Sequence, residues 1–390
     1  MCSGKQVLFS FFVLGMLFSS CENESIETLF PDNKDAATYT INLHWYQNDT
    51  ETRAEFETGM QWCFSFLGAQ LKSGSWSRGT QWLNGLTVKI HIEELGFNTH
   101  ALNQFQKLIK QYKQSEEYRL TGGIDAGRFV VSIINNSNHY YKIVNMPTTL
   151  DVFRSNYSFL QKRAAIIESA VAFKERLINM PEQDQTVDSL GYWAQELVGS
   201  IVDSSHQVEE NEVMDVMPNG QLRFGIYNKN GELIGGADSN LSIAGKPVKC
   251  LWCHEINIQR GFAALTAVPG YFSPNQFDSI VQENGVVLNN HRAALSTEID
   301  FTDRNQHTEF EKIYIRFMEP SVQRLSQEWR KSESEVEMTL LNTLTHSHEE
   351  FPELGQLYYR KEIAQYSPYQ VLPSTTEARE TVNNEPNLLP

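Results

Sequence analysis

Cysteine is scarce: five occur in 390 residues, and two of them, Cys2 and Cys21, fall near the start. No disulfide framework of the kind that staples small secreted domains can be built from that supply. Beyond the first residues no stretch reaches 18 consecutive apolar side chains, so no helix of the body is expected to cross a membrane. Cations are short as well. Lys and Arg number 32 against 48 Asp and Glu, a net charge of −16. A surface this acidic excludes nucleic acid as an expected partner and disfavours anionic lipid headgroups. The chain has no P-loop, no HExxH and no Ser/His/Asp signature. It has no internal repeat. The pairs Gly122-Gly123 and Gly235-Gly236 read as turns, and no carboxylate spacing singles out an acid/base pair.

The first residues do carry a leader pattern. Lys5 supplies a small positive segment, and Val7 to Phe18 is a largely apolar run of twelve residues. That run is too short to span about 30 Å of hydrocarbon and suits a signal peptide. The sequence Leu17-Phe18-Ser19-Ser20-Cys21 resembles the bacterial lipobox, with Phe18 in the slot usually held by leucine. The resemblance implies cleavage before Cys21 and diacylation of that cysteine. Two or more acyl chains anchor a protein stably. Residues 1–20 are therefore expected to be a signal peptide and 21–37 a lipid-anchored tether. The acidic Glu22-Asn23-Glu24-Ser25 looks like the surface-export tethers of some Gram-negative lipoproteins. The expected location is the outer membrane, on its periplasmic or cell-surface side.

At 41% hydrophobic and 21% charged residues, the rest can bury sizeable cores, and its length allows two or three domains. Residues 38–147 read as a mixed α/β domain. Tyr39 to Trp45 and Leu86 to Ile92 alternate as strands, and Ala54 to Leu71 has helical spacing. Asn98 or Thr99 caps a helix running to Tyr112. Arg128 to Ile134 and His139 to Val144, split by Asn135-Asn136-Ser137-Asn138, predict a hairpin. Residues 148–235 read as an α+β region. Phe159 to Met180 predicts a helix, with a strand through Ile167, Val171 and Phe173 as the alternative, and Leu190 to Ser200 a second helix. Leu222 to Tyr227, the turn Asn228-Lys229-Asn230-Gly231 and Glu232 to Ile234 predict a hairpin. Gly235 to Gly245 marks a boundary. Residues 236–366 are expected to be mainly helical. Ser273-Pro274 opens one helix, and Glu309 to Leu344 supplies two more, broken near Pro320. Residues 367–390, with four prolines among Thr, Glu and Asn, are expected to be disordered. The predicted fold class is thus α+β: a mixed N-terminal region followed by a mainly helical one that bears the chain's one specific motif.

That motif is Cys250-Leu251-Trp252-Cys253-His254. Positions i and i+3 share a face of a helical turn, so two sulfurs there can reach the two vinyl groups on one edge of a porphyrin. The residue at i+4 falls under the ring and can place an imidazole nitrogen on the iron. The pattern resembles the haem-attachment site of c-type cytochromes. The resemblance covers these five residues strongly and Gly245 to about Met318 loosely. It implies one covalent haem c on Cys250 and Cys253, with His254 as proximal iron ligand. Many small cytochromes of this type have glycine after the histidine; here Glu255 follows. Met318 and His291 are the candidates for a distal ligand, beside a five-coordinate iron. Trp252, Tyr271 and Phe272 are candidates to wall the haem. His307, His346 and His348 read as surface residues, and Cys63 as a buried, unreactive thiol.

Three other chemistries use two cysteines at this spacing. Zinc needs two further ligands. A thioredoxin-like pair needs an apolar strand before a helix N-terminus, whereas Ala244 to Lys249 is loop-like. A structural disulfide needs neither. Three expectations for function follow. The resemblance implies a membrane-tethered mono-haem cytochrome passing single electrons to redox protein partners. A non-catalytic surface lipoprotein would bind a ligand or partner, with Cys250 and Cys253 as a disulfide. A haem enzyme or sensor would need an open distal position and a polar pocket.

Overall fold

The computed structural model describes residues 38–48, 51–169, 171–182, 186–260, 263–264, 266–303, 305–369 and 385–389. The leader, Cys21, the rest of the tether and residues 370–384 of the tail lie outside the described residues. In the first third, alternation and helical spacing give what they predict. β1 (Thr40–His44) is a strand. α1 (Arg53–Phe66) opens on a capping box between Thr52 and Glu55. A short α2 (Ser75–Gly79) leads into β2 (Thr80–Asn84) and β3 (Thr87–His91). Asn98 caps α3 (Thr99–Gln114), its side chain accepting from the Ala101 N–H at 2.9 Å. After α4 (Glu116–Thr121), β4 (Ile124–Asp125) completes a sheet of order β2-β3-β1-β4. β1 runs antiparallel to β3 and parallel to β4.

The predicted hairpin at 128–144 is instead helical. α5 (Ala126–Val130), a π turn (Val131–Asn135) and α6 (Ser137–Ile143) occupy it. Both apolar runs are buried on every side, so they show no amphipathic period, and Asn136 acts as a helix cap, accepting from the His139 N–H at 3.1 Å. After α7 (Leu150–Ser155) comes the larger correction. The two helices predicted at 159–180 and 190–200 are strands: β5 (Ala164–Ile166), β6 (Glu168–Ser169), β7 (Arg176–Asn179) and β8 (Tyr192–Val198). Phe173, expected on a buried face under either prediction, is 59% exposed. Short apolar runs fit both periods, and pairing with distant strands decides between them. β9 (Gln207–Val216) and β10 (Leu222–Asn228) finish a five-stranded antiparallel sheet of order β10-β9-β8-β7-β5. The turn at 228–231 forms, but its returning arm makes only a bridge from Leu233 to Tyr227; the true partner of β10 is β9.

From Pro247 on, the named elements among the described residues are helices joined by loops, apart from short β11 (Ala263–Ala264), which pairs with β6. The helices are α8 (Pro247–His254), α9 (Pro274–Ala294), α10 (Asn305–Met318), α11 (Val322–Trp329), α12 (Glu333–Thr339) and α13 (Arg360–Ile363). Ser273 and Gln276 form the capping box of α9, and Pro320 separates α10 from α11. The fold is α+β. No helix among the described residues is long and apolar enough to cross a membrane.

From Tyr39 on, the chain is one compact unit. Its main core draws Leu43 and Phe64 from the first region, Met214 and Phe224 from the second, and Leu251 and Phe317 from the third. A buried ion network ties the ends. Arg324 pairs with Asp125 at 2.6 Å and Glu328 at 2.6 Å, Arg360 with Glu328 at 2.7 Å, and Arg128 with Glu117 at 3.0 Å. Three guanidinium groups face three carboxylates, which buried charge requires, and all three lie against the ring of Phe317.

Residues 385–389 correct the expectation of a disordered tail. Glu385 forms a buried ion pair with Lys246. Pro386 O accepts from Asn136 Nδ2 at 2.5 Å, and the Leu388 N–H donates to His139 Nε2 at 2.8 Å. Leu389 is fully buried.

α1 packs on α10 through Gly59, where an added Cβ would stand 2.6 Å from Glu309 O and 2.7 Å from Ile313 Cδ1. Alanine would gain about 1 kcal/mol of helix propensity but overpack the crossing at a cost of about 1–3 kcal/mol. Gly59→Ala is therefore expected to lower the urea midpoint, and an unchanged or raised midpoint would contradict this packing.

Candidate functional site

The cysteine helix is short and tightly tied. Lys246 precedes α8 and Pro247 fills its first turn, where a missing N–H costs nothing. The helix ends abruptly because Glu255 (φ 45°) and Ile256 (φ 66°) both adopt left-handed backbone. Neither is glycine, and such residues cost on the order of 1–3 kcal/mol each unless the surroundings hold them. The surroundings do so here. Gln259 Nε2 donates to Cys253 O at 3.1 Å and His254 O at 3.2 Å, satisfying carbonyls at the helix end. Arg292 donates from Nη2 to Ile256 O at 2.7 Å and from Nε to Gly220 O at 2.8 Å. The reversal brings residues 257–260 back alongside the helix.

α8 and this return segment roof a cavity whose floor is one face of the five-stranded sheet. Residues two apart on a strand share a face. Arg176 and Ile178, Tyr192 and Ala194, Glu212 and Met214, and Phe224 and Ile226 all line the floor. Cys250, His254, Ile258 and Arg260 line the roof, with Phe277 and Val281 of α9. Its free interior is about 130 Å³, smaller than the roughly 300–1,000 Å³ of small-molecule and cofactor sites. A smaller adjoining cavity shares Arg176, Glu212, Cys250 and His254 and adds Cys253. Both cysteines and the histidine of the motif therefore border connected space.

His254 is neutral at physiological pH: burial, with some help from Arg176, lowers it to about 4. Its Nδ1 lies 3.2 Å from Asn257 O, which can only accept, so Nδ1 carries the proton and Nε2 presents a lone pair. The imidazole sits 5.1 Å from the ring of Phe224. Cys63, Cys250 and Cys253 are not in a disulfide. Burial, then the nearby Glu212 carboxylate, pushes the Cys250 thiol well above its ordinary range. An oxidoreductase thiol needs the opposite shift. Among the described residues no group of three or more His, Cys, Asp or Glu is arranged to hold a metal ion.

The remaining candidates do not converge on the cavity. Met318 is buried in the main core. His291 lies on α9 with Nε2 3.2 Å from Pro218 O and borders a different groove. Trp252 turns away and packs edge-on to Tyr314, with ring centroids 4.6 Å apart. Tyr271 packs on a separate small cluster, and Phe272 lies under Lys162. The aromatic walls are instead Phe224 and Phe277, and the thioether facing the space is that of Met214. Arg176, Glu212 and Met214 went unrecognised because they lie on strands predicted as helix or left unassigned; strand alternation in 207–216 is the signal that could have found them. His307 is buried, not on the surface; it packs edge-on to Trp62, ring centroids 6.3 Å apart. His346 is half-buried, stacked on Tyr359 at 3.9 Å. Cys63 is buried in the core, and burial holds its thiol far above the usual range. Comparison with family models, with curated proteins and with solved structures finds no match.

In protein made without haem, Cys250 at pH 8 is expected to react with iodoacetamide at least roughly tenfold more slowly than a free thiol. Cys63 should react only after unfolding. Rapid modification of Cys250, followed by peptide mass spectrometry, would contradict the burial described.

Proposed function

We propose that this chain is a membrane-tethered, c-type cytochrome-like lipoprotein that carries one covalent haem c and passes single electrons to redox protein partners. One observation carries the proposal. A neutral imidazole, its tautomer set by Asn257 O, follows directly on two cysteines that are not in a disulfide and border the same space. That donor set suits the group: two thiols one helical turn apart for thioether bonds and an available Nε2 for iron.

When bound, haem supplies one-electron oxidation and reduction. The chain's own residues do the rest. Cys250 and Cys253 would hold the group, and His254 would ligate it through Nε2. Asn257 keeps the imidazole from turning, and Arg292 and Gln259 keep the strained reversal behind it closed. Ile178, Phe224, Phe277 and Val281 give the cavity apolar lining. Met214, rather than Met318 or His291, lines the cavity and would be the further side chain able to offer the iron a donor. The membrane attachment is proposed through lipid on Cys21, after export, at the outer membrane.

A haem enzyme or sensor is the second proposal. The observation favouring it is the charged pair Arg176–Glu212 on the cavity floor, since polarity of that kind distinguishes activation of a bound ligand from plain electron transfer.

In a host with cytochrome c maturation, the denatured protein is expected to give a pyridine haemochrome spectrum of one haem per chain. No haem, alongside a matured control, would contradict both proposals. Carbon monoxide binding to the reduced protein would favour the second. Cys21→Ala is expected to release the protein from membranes, and retention there would contradict the lipid anchor.

A further inference from the structure

The buried face of the five-stranded sheet holds more carboxylates than cations to pair them. Register sets Arg176 opposite Glu196, and Glu196 opposite Glu210. Glu212 follows Glu210 by two residues, on the same face. Arg176 Nε donates to Glu196 Oε1, and its Nη2 to Glu212 Oε2 at 2.8 Å. Glu210 Oε2 accepts from the Asp238 N–H at 2.8 Å. The second oxygen of each carboxylate, Glu196 Oε2, Glu210 Oε1 and Glu212 Oε1, is buried with no hydrogen-bond partner. Glu196 is 0% exposed and Glu210 2%.

Three ionised carboxylates around one guanidinium would leave two uncompensated negative charges, which burial disfavours. Protonation removes that cost, and carboxyls that share a site behave this way. Burial pushes Glu196 up to about 8 against the pull of Arg176, with repulsion from Glu212 and Glu210 adding to it. Burial also lifts Glu210, to about 7, against its bond from Asp238, with Glu212 and the Asp238 carboxylate repelling it. The remaining charged and titratable groups on this side are Lys249, Arg260, Cys250 and His254, which line the cavities with Arg176 and Glu212.

We propose that Glu196 and Glu210 hold one exchangeable proton between them, and that this proton is taken up or released as the charge in the adjoining cavity changes by one unit. The second half rests on the haem proposal. On reduction, one electron enters from a redox protein, the cavity loses one positive charge, and one proton passes from solvent to these carboxylates. Oxidation returns both. Arg176 and Glu212 stand between the proton and the cavity and act as positioning residues.

Infrared difference spectroscopy on protein with or without haem tests the shared proton. A carboxylic acid C=O band is expected to disappear between about pH 6 and about pH 9 as the coupled pair ionises, and to be lost or displaced in Glu196→Gln and Glu210→Gln. No such band, or one untouched in both variants, overturns the shared proton. Redox titration of the haem-loaded protein tests the coupling. The midpoint potential should fall toward about 59 mV per pH unit, the one-electron equivalent of a tenfold change in proton activity, and flatten in both variants. A flat wild-type potential, or a slope kept in both variants, overturns the coupling. Absence of haem in the same preparation overturns the functional proposal, and the infrared result then decides the proton alone.

Discussion

Strand alternation across β7 to β10 is the constraint on which the site depends. Residues two apart share a face, so Glu210, Glu212 and Met214 rise on one side of β9, beside Arg176, Glu196 and Phe224. The opposite face of the same strand carries Asp215, which accepts from Arg223 Nε at 2.8 Å and from the Tyr157 hydroxyl at 2.8 Å. A slip of β9 by one residue would exchange the two sets and strand both arginines from their carboxylates. Charge pairing on both faces therefore locks the register, and the register decides which groups meet α8.

The cysteine helix answers that floor with its own constraint. Eight residues make a weak helix, and this one ends on two non-glycine residues in left-handed backbone. Its stability comes from outside: Leu251 and Trp252 in the core, Gln259 and Arg292 at the reversal, and Lys246 paired with Glu385 at the start. The result is a histidine with a set tautomer, near the Cys250 thiol, which burial holds well above its ordinary range. Such a thiol is a poor redox nucleophile.

Part of this was legible in the sequence. Clear periods and caps gave β1, α1, β3, α3 and α9, and the motif marked α8 as the place of interest. Glu255 follows the histidine where many small c-type cytochromes have glycine, and its backbone takes the conformation that glycine favours. The cavity floor was not legible. β5, β7 and β8 are too short for their apolar spacing to distinguish strand from helix, and β9 mixes four carboxylates into its ten residues, so it resembles a solvated segment. Glu210 and Glu212 are buried only because strands far apart in the chain pair around them. Met318, a candidate distal ligand by sequence, belongs instead to the main core at the end of α10. Met214, which lies before the motif in the chain, faces the cavity.

Covalent attachment of haem at Cys250 and Cys253 is the claim on which the functional account stands. Intact and peptide mass spectrometry on protein made with cytochrome c maturation tests it most directly. One haem mass per chain is expected, located on the peptide that spans residues 250–254, and absent from the Cys250→Ala/Cys253→Ala double variant. An unmodified peptide from a preparation in which a control cytochrome is fully loaded would contradict the account.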